Sequence, residues 1–280
     1  MSGITFLIFT YNEERRLDFI LRCIQQYGEV VIIDNFSVDK TVEIARRYTD
    51  KVYQFKNPGY IENEETMSFA LSKATTEWVY LTYVDELLPK PLLNELNRIS
   101  ELDKYDIVEI YRKNYMYGQE IFNYGKHHLR MFKPGSVDFR DNPIHKLGRY
   151  LVSQDRVYKI RATDDTSIWH FSSYNSSKLE LAHNRYANLE AAQLFSAGKK
   201  FSGTRALFKL VFYFWGTYIG LGGFRGGWPG LFISVQIAYF KFCIEARLWE
   251  YENGRSLEEI EKEYDRLKEL LISGEWKAIK

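Results

Sequence analysis

Across roughly the first 110 residues the chain alternates between two periods, and that alternation limits its fold more than any other feature. Short continuous apolar runs at 4–9, 30–33 and 52–55 read as buried strands, as do the runs beginning at Trp78 and Asp106. Between them apolar residues recur at helical spacing. The positions are Leu17, Ile20, Leu21 and Ile24, then Val42, Ile44, Ala45 and Tyr48, then the spans 67–74 and 92–102. Gly28 closes the first helix, and Asn57-Pro58-Gly59 marks a turn. Strands that alternate with helices imply a mostly parallel, Rossmann-like α/β sheet with helices on both faces.

Ligands in such sheets sit beyond the carboxyl ends of the strands. Those ends carry Thr10-Tyr11-Asn12-Glu13, then Asp34, then Asp85 with Glu86. Taken alone, Asp85 and Glu86 could simply cap the helix near Pro91. Polar or acidic groups at three separate strand ends point instead to a binding crevice. No Gly-x-Gly-x-x-Gly and no Walker-type loop is present, which disfavours dinucleotide and P-loop chemistry. The formal net charge is only +1, so no global field draws in nucleic acid. The 280 residues, 45 % apolar, suffice for one large domain or one domain with an appendage. Cys23 and Cys243 lie far apart in apolar patterns without metal spacing, as buried free thiols of a reducing compartment do. Met1-Ser2-Gly3 leads straight into a strand, with no signal-peptide pattern.

From 115 to 169 helical periodicity disappears, and Tyr, Gly, Pro and His dominate. Short strands and loops are expected there, where binding residues often gather. Helix returns at 178–194. The span 206–243 holds two apolar segments around a glycine-rich turn at 220–227. Neither provides the ~20 uninterrupted apolar residues of a spanning helix, because Lys209, Gln236 and Lys241 intervene. The flanking Trp, Tyr, Lys and Arg suit a hairpin lying shallowly in a membrane interface. The other reading is a helical pair packed on the protein's own core. In the tail, 256–273, Ser256 and Glu259 form a capping box. Leu257, Ile260, Tyr264, Leu267 and Leu271 then repeat along one amphipathic helix that Gly274 ends. That helix packs on the body or mediates self-association into a homo-oligomer. The expected division is an α/β domain carrying the binding crevice at 1–175 and a helical extension at 176–280.

With these motifs in order, the chain resembles the family 2 glycosyltransferases of GT-A fold. Within them it is most similar to the lipopolysaccharide-core, WaaE-like branch. The resemblance is carried by Phe9-Thr10-Tyr11-Asn12-Glu13-Glu14, by the span 31–41 around Asp34, and by the span 78–86. Arg130-Met131-Phe132-Lys133, Ile144-His145 and a looser C-terminal pattern extend it over nearly the whole chain. It implies an inverting transferase that takes a sugar from a nucleotide-diphosphate donor, most simply a UDP-sugar. The acceptor it implies is a lipid-linked or lipopolysaccharide-type glycan of the cell envelope. The site would be cytoplasmic, peripheral on the inner face of a bacterial membrane. The alternative is a degenerate transferase that binds a nucleotide sugar or glycan without turnover.

The same resemblance assigns roles. Thr10, Tyr11, Asn12, Glu13 and Asp34 match donor-binding positions. Asp85 matches the usual ligand of a divalent Mn or Mg ion, with Glu86 and His145 as further candidate ligands. Asp141, then Asp138 and His145, are the candidate general bases from their place in the irregular span 115–169. His170 would line the acceptor side, and His127 with His128 would be a loop pair. The chain departs from the family where Tyr83 replaces the first Asp of the Asp-x-Asp motif and Lys146 replaces a common Glu. Met67-Ser68 stands where an Arg-Asn pair is common. The expected consequence is a weakened metal site, with Lys146 or Arg130 helping to neutralise the diphosphate.

Overall fold

The computed structural model describes residues 3–57, 61–121, 125–140 and 147–275. It divides the chain into two compact units, Met1–Asn175 and Ser176–Lys280.

The first unit opens with β1 (Ile4–Thr10), α1 (Leu17–Ile24), β2 (Glu29–Asp34), α2 (Thr41–Ala45) and β3 (Val52–Gln54). It continues with α3 (Glu64–Leu71), β4 (Trp78–Thr82), β5 (Glu86–Leu87), α4 (Lys90–Ser100) and β6 (Ile107–Met116). Short strands follow: β7 (Gln119–Glu120), β8 (Lys126–Phe132), β9 (Val137–Asp138), β10 (Arg149–Tyr150), β11 (Val157–Lys159) and β12 (Ile168–Phe171).

The main sheet runs β3-β2-β1-β4-β8-β6-β12-β5, with β7 and β11 pairing β6 off that path. β1 is parallel to both β2 and β4, and β2 is parallel to β3. Beyond β4 the sheet is mixed, because β8 runs antiparallel to β4 and β6. β12 returns parallel to β6, and β5 closes antiparallel on β12. Only the first half of the sheet therefore has the helical crossovers that a parallel sheet requires.

β1 alternates between two cores. Ile4, Phe6 and Ile8 pack with Ile20, Leu21, Trp78, Tyr80, Leu92 and Leu96 on one face. Leu7 packs with Val31, Ile33, Met67, Val79 and Leu81 on the other. Burial on both faces explains why these strands read as continuous apolar runs. Gly28 works by closeness: a Cβ there would lie 2.2 Å from the Ile4 carbonyl oxygen, so β2 could not start beside β1. The helix itself already ends at Ile24.

The chain passes from β1 to β2 to β3 on one side, while β4 lies on the other side of β1. Such a switch point opens a crevice at the carboxyl ends of β1 and β4.

The second unit consists of α5 (Ser176–Ser196), α6 (Gly203–Trp215), α7 (Gly227–Glu252) and α8 (Leu257–Ile272). α7 packs against α5 and α6, with Ala187, Ala191, Phe240 and Ile244 at its core. A π-helical turn at Gly216–Gly220 and a 3-10 turn at Gly223–Gly226 join α6 to α7. A Cβ on Gly230 would fall 1.9 Å from the Gly223 carbonyl oxygen, so the hairpin tip needs that glycine. Both halves of the Ser256–Glu259 capping box are formed at the start of α8. Among the described residues, no helix is long and apolar enough to cross a membrane.

Candidate active site

At the β1/β2 edge the structure ties two motif loops together. Asp34 ends β2 opposite Thr10 and is fully buried. Its Oδ1 accepts from Thr10 Oγ1 at 3.0 Å and Ser37 Oγ at 2.5 Å, and its Oδ2 accepts from Ser37 N at 2.9 Å. Asn12 turns through a positive φ of 54° and its Oδ1 accepts from Val38 N at 2.9 Å. Ser37 Oγ accepts from Asn12 N, and Thr41 Oγ1 from Glu13 N at 2.6 Å. Thr10, Asn12, Glu13 and Asp34 thus build the wall of the crevice. The expected direct donor contact through Asp34 is corrected, since no surface of that residue is accessible. Tyr11, 39 % exposed, is the residue of this motif that offers a ring to the outside.

After β4 the chain turns through Tyr83 and Val84 to Asp85. α4 begins at Lys90 behind Pro89, with no side-chain cap, so Asp85 and Glu86 do not cap it. Instead β5 pairs with β12, setting Glu86 opposite His170, and Phe171 N donates to the Asp85 carbonyl at 2.7 Å. This pairing holds the Asp85 side chain beside His170, with Nε2 3.4 Å from Oδ2. Arg16 Nη1 lies 3.5 Å from the same oxygen, while its Nε and Nη2 grip Glu13 at 2.7 and 2.6 Å. Burial pushes the Asp85 carboxyl up, but His170, Arg16 and Arg112 outweigh it and hold the group at about 2. Asp85 is an anion set into a cationic rim.

His170 is oriented by a second bond. Its Nδ1 lies 2.8 Å from Asn114 Oδ1, a register partner on β6. A carbonyl oxygen only accepts, so Nδ1 donates and Nε2 faces Asp85. It presents Asp85 either with a proton, making an ion pair, or with a lone pair, making a two-donor edge for a cation. A carboxylate and an imidazole at this separation would suit a divalent cation such as Mn²⁺. Asp85 and His170 are therefore the residues that fit the metal implied by the resemblance. Among the described residues, no group of three His, Cys, Asp or Glu side chains forms a fuller site.

The sequence profile of Glycosyl transferase family 2 matches residues 5–170, which contain Thr10, Arg16, Asp34, Asp85 and His170. The chain belongs to glycosyltransferase family 2. It is 26 % identical over 264 residues to an uncharacterized glycosyltransferase of Rickettsia typhi, covering 89 % of this chain and 88 % of that one. A Rickettsia felis glycosyltransferase, also uncharacterized, is 25 % identical over 264 residues, 89 % of this chain and 90 % of its own. Among solved structures, S. aureus TarS 1–349 in complex with UDP-GlcNAc is similar with a TM-score of 0.45 and 16 % identity. That similarity covers 91 % of this chain and 93 % of TarS 1–349. The chain is a glycosyltransferase with a GT-A-like fold.

Several expectations for this glycosyltransferase change. Glu86 is not a metal ligand. It is fully buried, and its Oε1 accepts from Arg130 Nη2 at 2.5 Å with Arg112 Nη1 at 3.6 Å. Arg130 is 2 % exposed and lies beneath Tyr83, its guanidinium 4.8 Å from the ring centre, so it neutralises Glu86 and not a diphosphate. Tyr83 donates from its phenol to Glu62 Oε1 at 2.9 Å. Burial, reinforced by the Glu62 and Glu86 charges, keeps that phenol protonated.

Asp138 is corrected as a general base. Its carboxylate accepts from the Arg140 side chain at 2.9 and 3.0 Å, from Arg140 N at 3.0 Å and from Arg149 at 2.8 Å. These bonds, Arg140 first, hold it well below the usual carboxylate range. His127 and His128 belong to strand β8 and not to a loop. Burial, then Arg112 and Arg130, push His128 down to about 2, so it stays neutral. Asp141, His145 and Lys146 lie outside the described residues.

Arg16 and Arg112 were missed by sequence reading, and so was the contact of His170 with Asp85. Arg16 leaves no local signal beyond its place three residues after Glu13. Arg112 and His170 reach the site only through the pairing of β6, β12 and β5.

Proposed function

We propose that this glycosyltransferase moves a sugar from a UDP-sugar to a hydroxyl of a lipid-linked or lipopolysaccharide-type envelope glycan, inverting the anomeric carbon. The observation that carries the reading is the Asp85–His170 pair at the β1/β4 switch point, flanked by Arg16. The Tyr11 ring stacks on the base, and the Thr10–Asp34 wall fixes the loops that receive the ribose. The acceptor oxygen attacks the anomeric carbon from the face opposite the diphosphate, and the bond from that carbon to the diphosphate oxygen breaks. The acceptor proton passes to a carboxylate, assigned to Asp141 from its place in the irregular span 115–169. Arg16 balances the charge that grows on the leaving diphosphate. A divalent cation bound by Asp85 and His170 would supply further Lewis-acid stabilisation there. The reaction belongs on the cytoplasmic side of a bacterial membrane, where nucleotide sugars are available.

The test is thermal stabilisation and hydrolysis with UDP-, GDP- and ADP-sugars, with and without Mn²⁺, on wild type and Asp85→Ala. The expected result is stabilisation by a UDP-sugar that is hydrolysed only when Asp85 is present. Stabilisation without hydrolysis in any condition would favour a binding role without turnover. No response to any nucleotide would overturn the reading.

A further inference from the structure

On α6 the exposed apolar residues are Leu207, Phe208, Val211, Phe212 and Trp215. Their spacing of one, three and four places them on one helical face. On α7, Trp228, Phe232, Val235 and Tyr239 do the same at spacings of three and four. Phe208 and Trp228 are 64 % and 70 % exposed, although both belong to helices whose other faces are packed. Soluble surfaces seldom display aromatic stripes of this kind unless something covers them.

The stretch that carries these stripes is net basic, although Arg205 and Lys209 pair with Glu245 and Lys241 pairs with Glu190. No acidic residue occurs between Glu190 and Glu245, whereas Lys199, Lys200, Arg205, Lys209, Arg225 and Lys241 are basic. Glu245 presents no negative charge outward. It is fully buried and held by Arg205 at 2.7 Å and Lys209 at 2.7 Å. At the hairpin tip Arg225 lies 5.5 Å above the Phe224 ring, between the two outward tryptophans in sequence. Aromatic rings at the end of an apolar stripe, with a cation beside them, match the boundary between acyl chains and headgroups. The helices do not suit the bilayer interior, because none is long and apolar enough to cross it.

We propose that the α6–α7 hairpin lies flat in the surface of an anionic lipid bilayer, its aromatic stripes among the upper acyl chains and its cations at the headgroups. The inference does not rest on the donor assignment, because lipid binding and sugar transfer are read separately.

The experiment is flotation of the full chain with phosphatidylcholine vesicles, with and without phosphatidylglycerol, alongside its lipid-free size. Wild type floats with the anionic vesicles, and salt near 0.5 M lowers the bound fraction by about tenfold through screening. The double variant Trp228→Ser/Phe232→Ser lowers partitioning about tenfold or more, with melting and donor hydrolysis unchanged. A second variant, Phe208→Ser/Phe212→Ser, repeats the loss from the other helix. Failure of wild type to float with anionic vesicles overturns the proposal. So does undiminished flotation of both variants, or a lipid-free dimer that these substitutions split while vesicles stay unbound. A chain that floats but processes no donor refutes the function proposed above and leaves the lipid surface standing.

Discussion

His170 Nε2 stands 3.4 Å from Asp85 Oδ2, and its opposite ring nitrogen is bonded to Asn114 at 2.8 Å. Three strands that are distant in sequence converge to make this line of groups. Asn114 lies on β6, His170 on β12, and Asp85 immediately before β5. The arrangement turns a lone carboxylate at a strand end into an oriented acid and imidazole pair.

Asp85→Asn and His170→Gln are therefore expected to lower sugar transfer by about 10²-fold or more, consistent with loss of charge at the leaving group. Asn114 is a positioning residue. Asn114→Ala should raise the Mn²⁺ concentration for half-activation by roughly tenfold, with a smaller effect at saturating metal. A metal titration of steady-state rates separates the two, and equal losses at all metal concentrations would contradict the role given to Asn114.

Glu86 and Arg130 form a buried pair with imperfect satisfaction, since Glu86 Oε2 and Arg130 Nε have no hydrogen-bond partner among the described residues. Removing one member leaves the other charge buried. Glu86→Leu should cost about 3–5 kcal/mol in urea unfolding, and Glu86→Leu/Arg130→Met clearly less than the two single losses combined. Additive losses would mean that the pair is not coupled.

Acid should unfold the first unit in a defined window. Burial pushes Glu29 up, but Lys51, Thr5 and Thr75 outweigh it and lower the carboxyl from 4.5 to about 2. Asp85 is lowered from 3.8 to about 2. A depressed folded-state value stabilises the protein above the unfolded value and loses that contribution as pH falls through the folded one. Stability should thus be flat above about pH 5 and fall steeply from there toward pH 2. Glu29→Gln should lower stability at neutral pH by about 2 kcal/mol and flatten the acid slope, as read from urea midpoints across pH.

Tyr83→Phe removes the 2.9 Å bond to Glu62 and keeps the ring over Arg130. The phenol is turned toward Glu62, so the expected cost is about 1 kcal/mol of stability with donor affinity changed less than about threefold. Isothermal titration with the donor checks this, and a tenfold loss would give the phenol a direct place in the donor site.

The parallel half of the sheet was legible in the sequence because its strands are buried on both faces. The runs around Phe6, Ile32 and Trp78 are continuous, and helical spacing fills the gaps between them. The Ser256 capping box and the apolar hairpin were equally local and equally readable. The edge where β8, β6, β12 and β5 assemble was not, since Lys126–Phe132 and Ile168–Phe171 carry polar and aromatic residues without a clean period. The same limit applies to the site. Motif spacing placed Asp34 and Asp85 at strand ends. Only the folded chain showed that Asp34 is sealed in the wall, that Glu86 turns inward to Arg130, and that His170 meets Asp85. Local periodicity is written in neighbouring residues and decides which segments become strands and helices. A side chain's direction and charge partners depend on which distant strands pair and in what register, and that is a property of the assembled sheet.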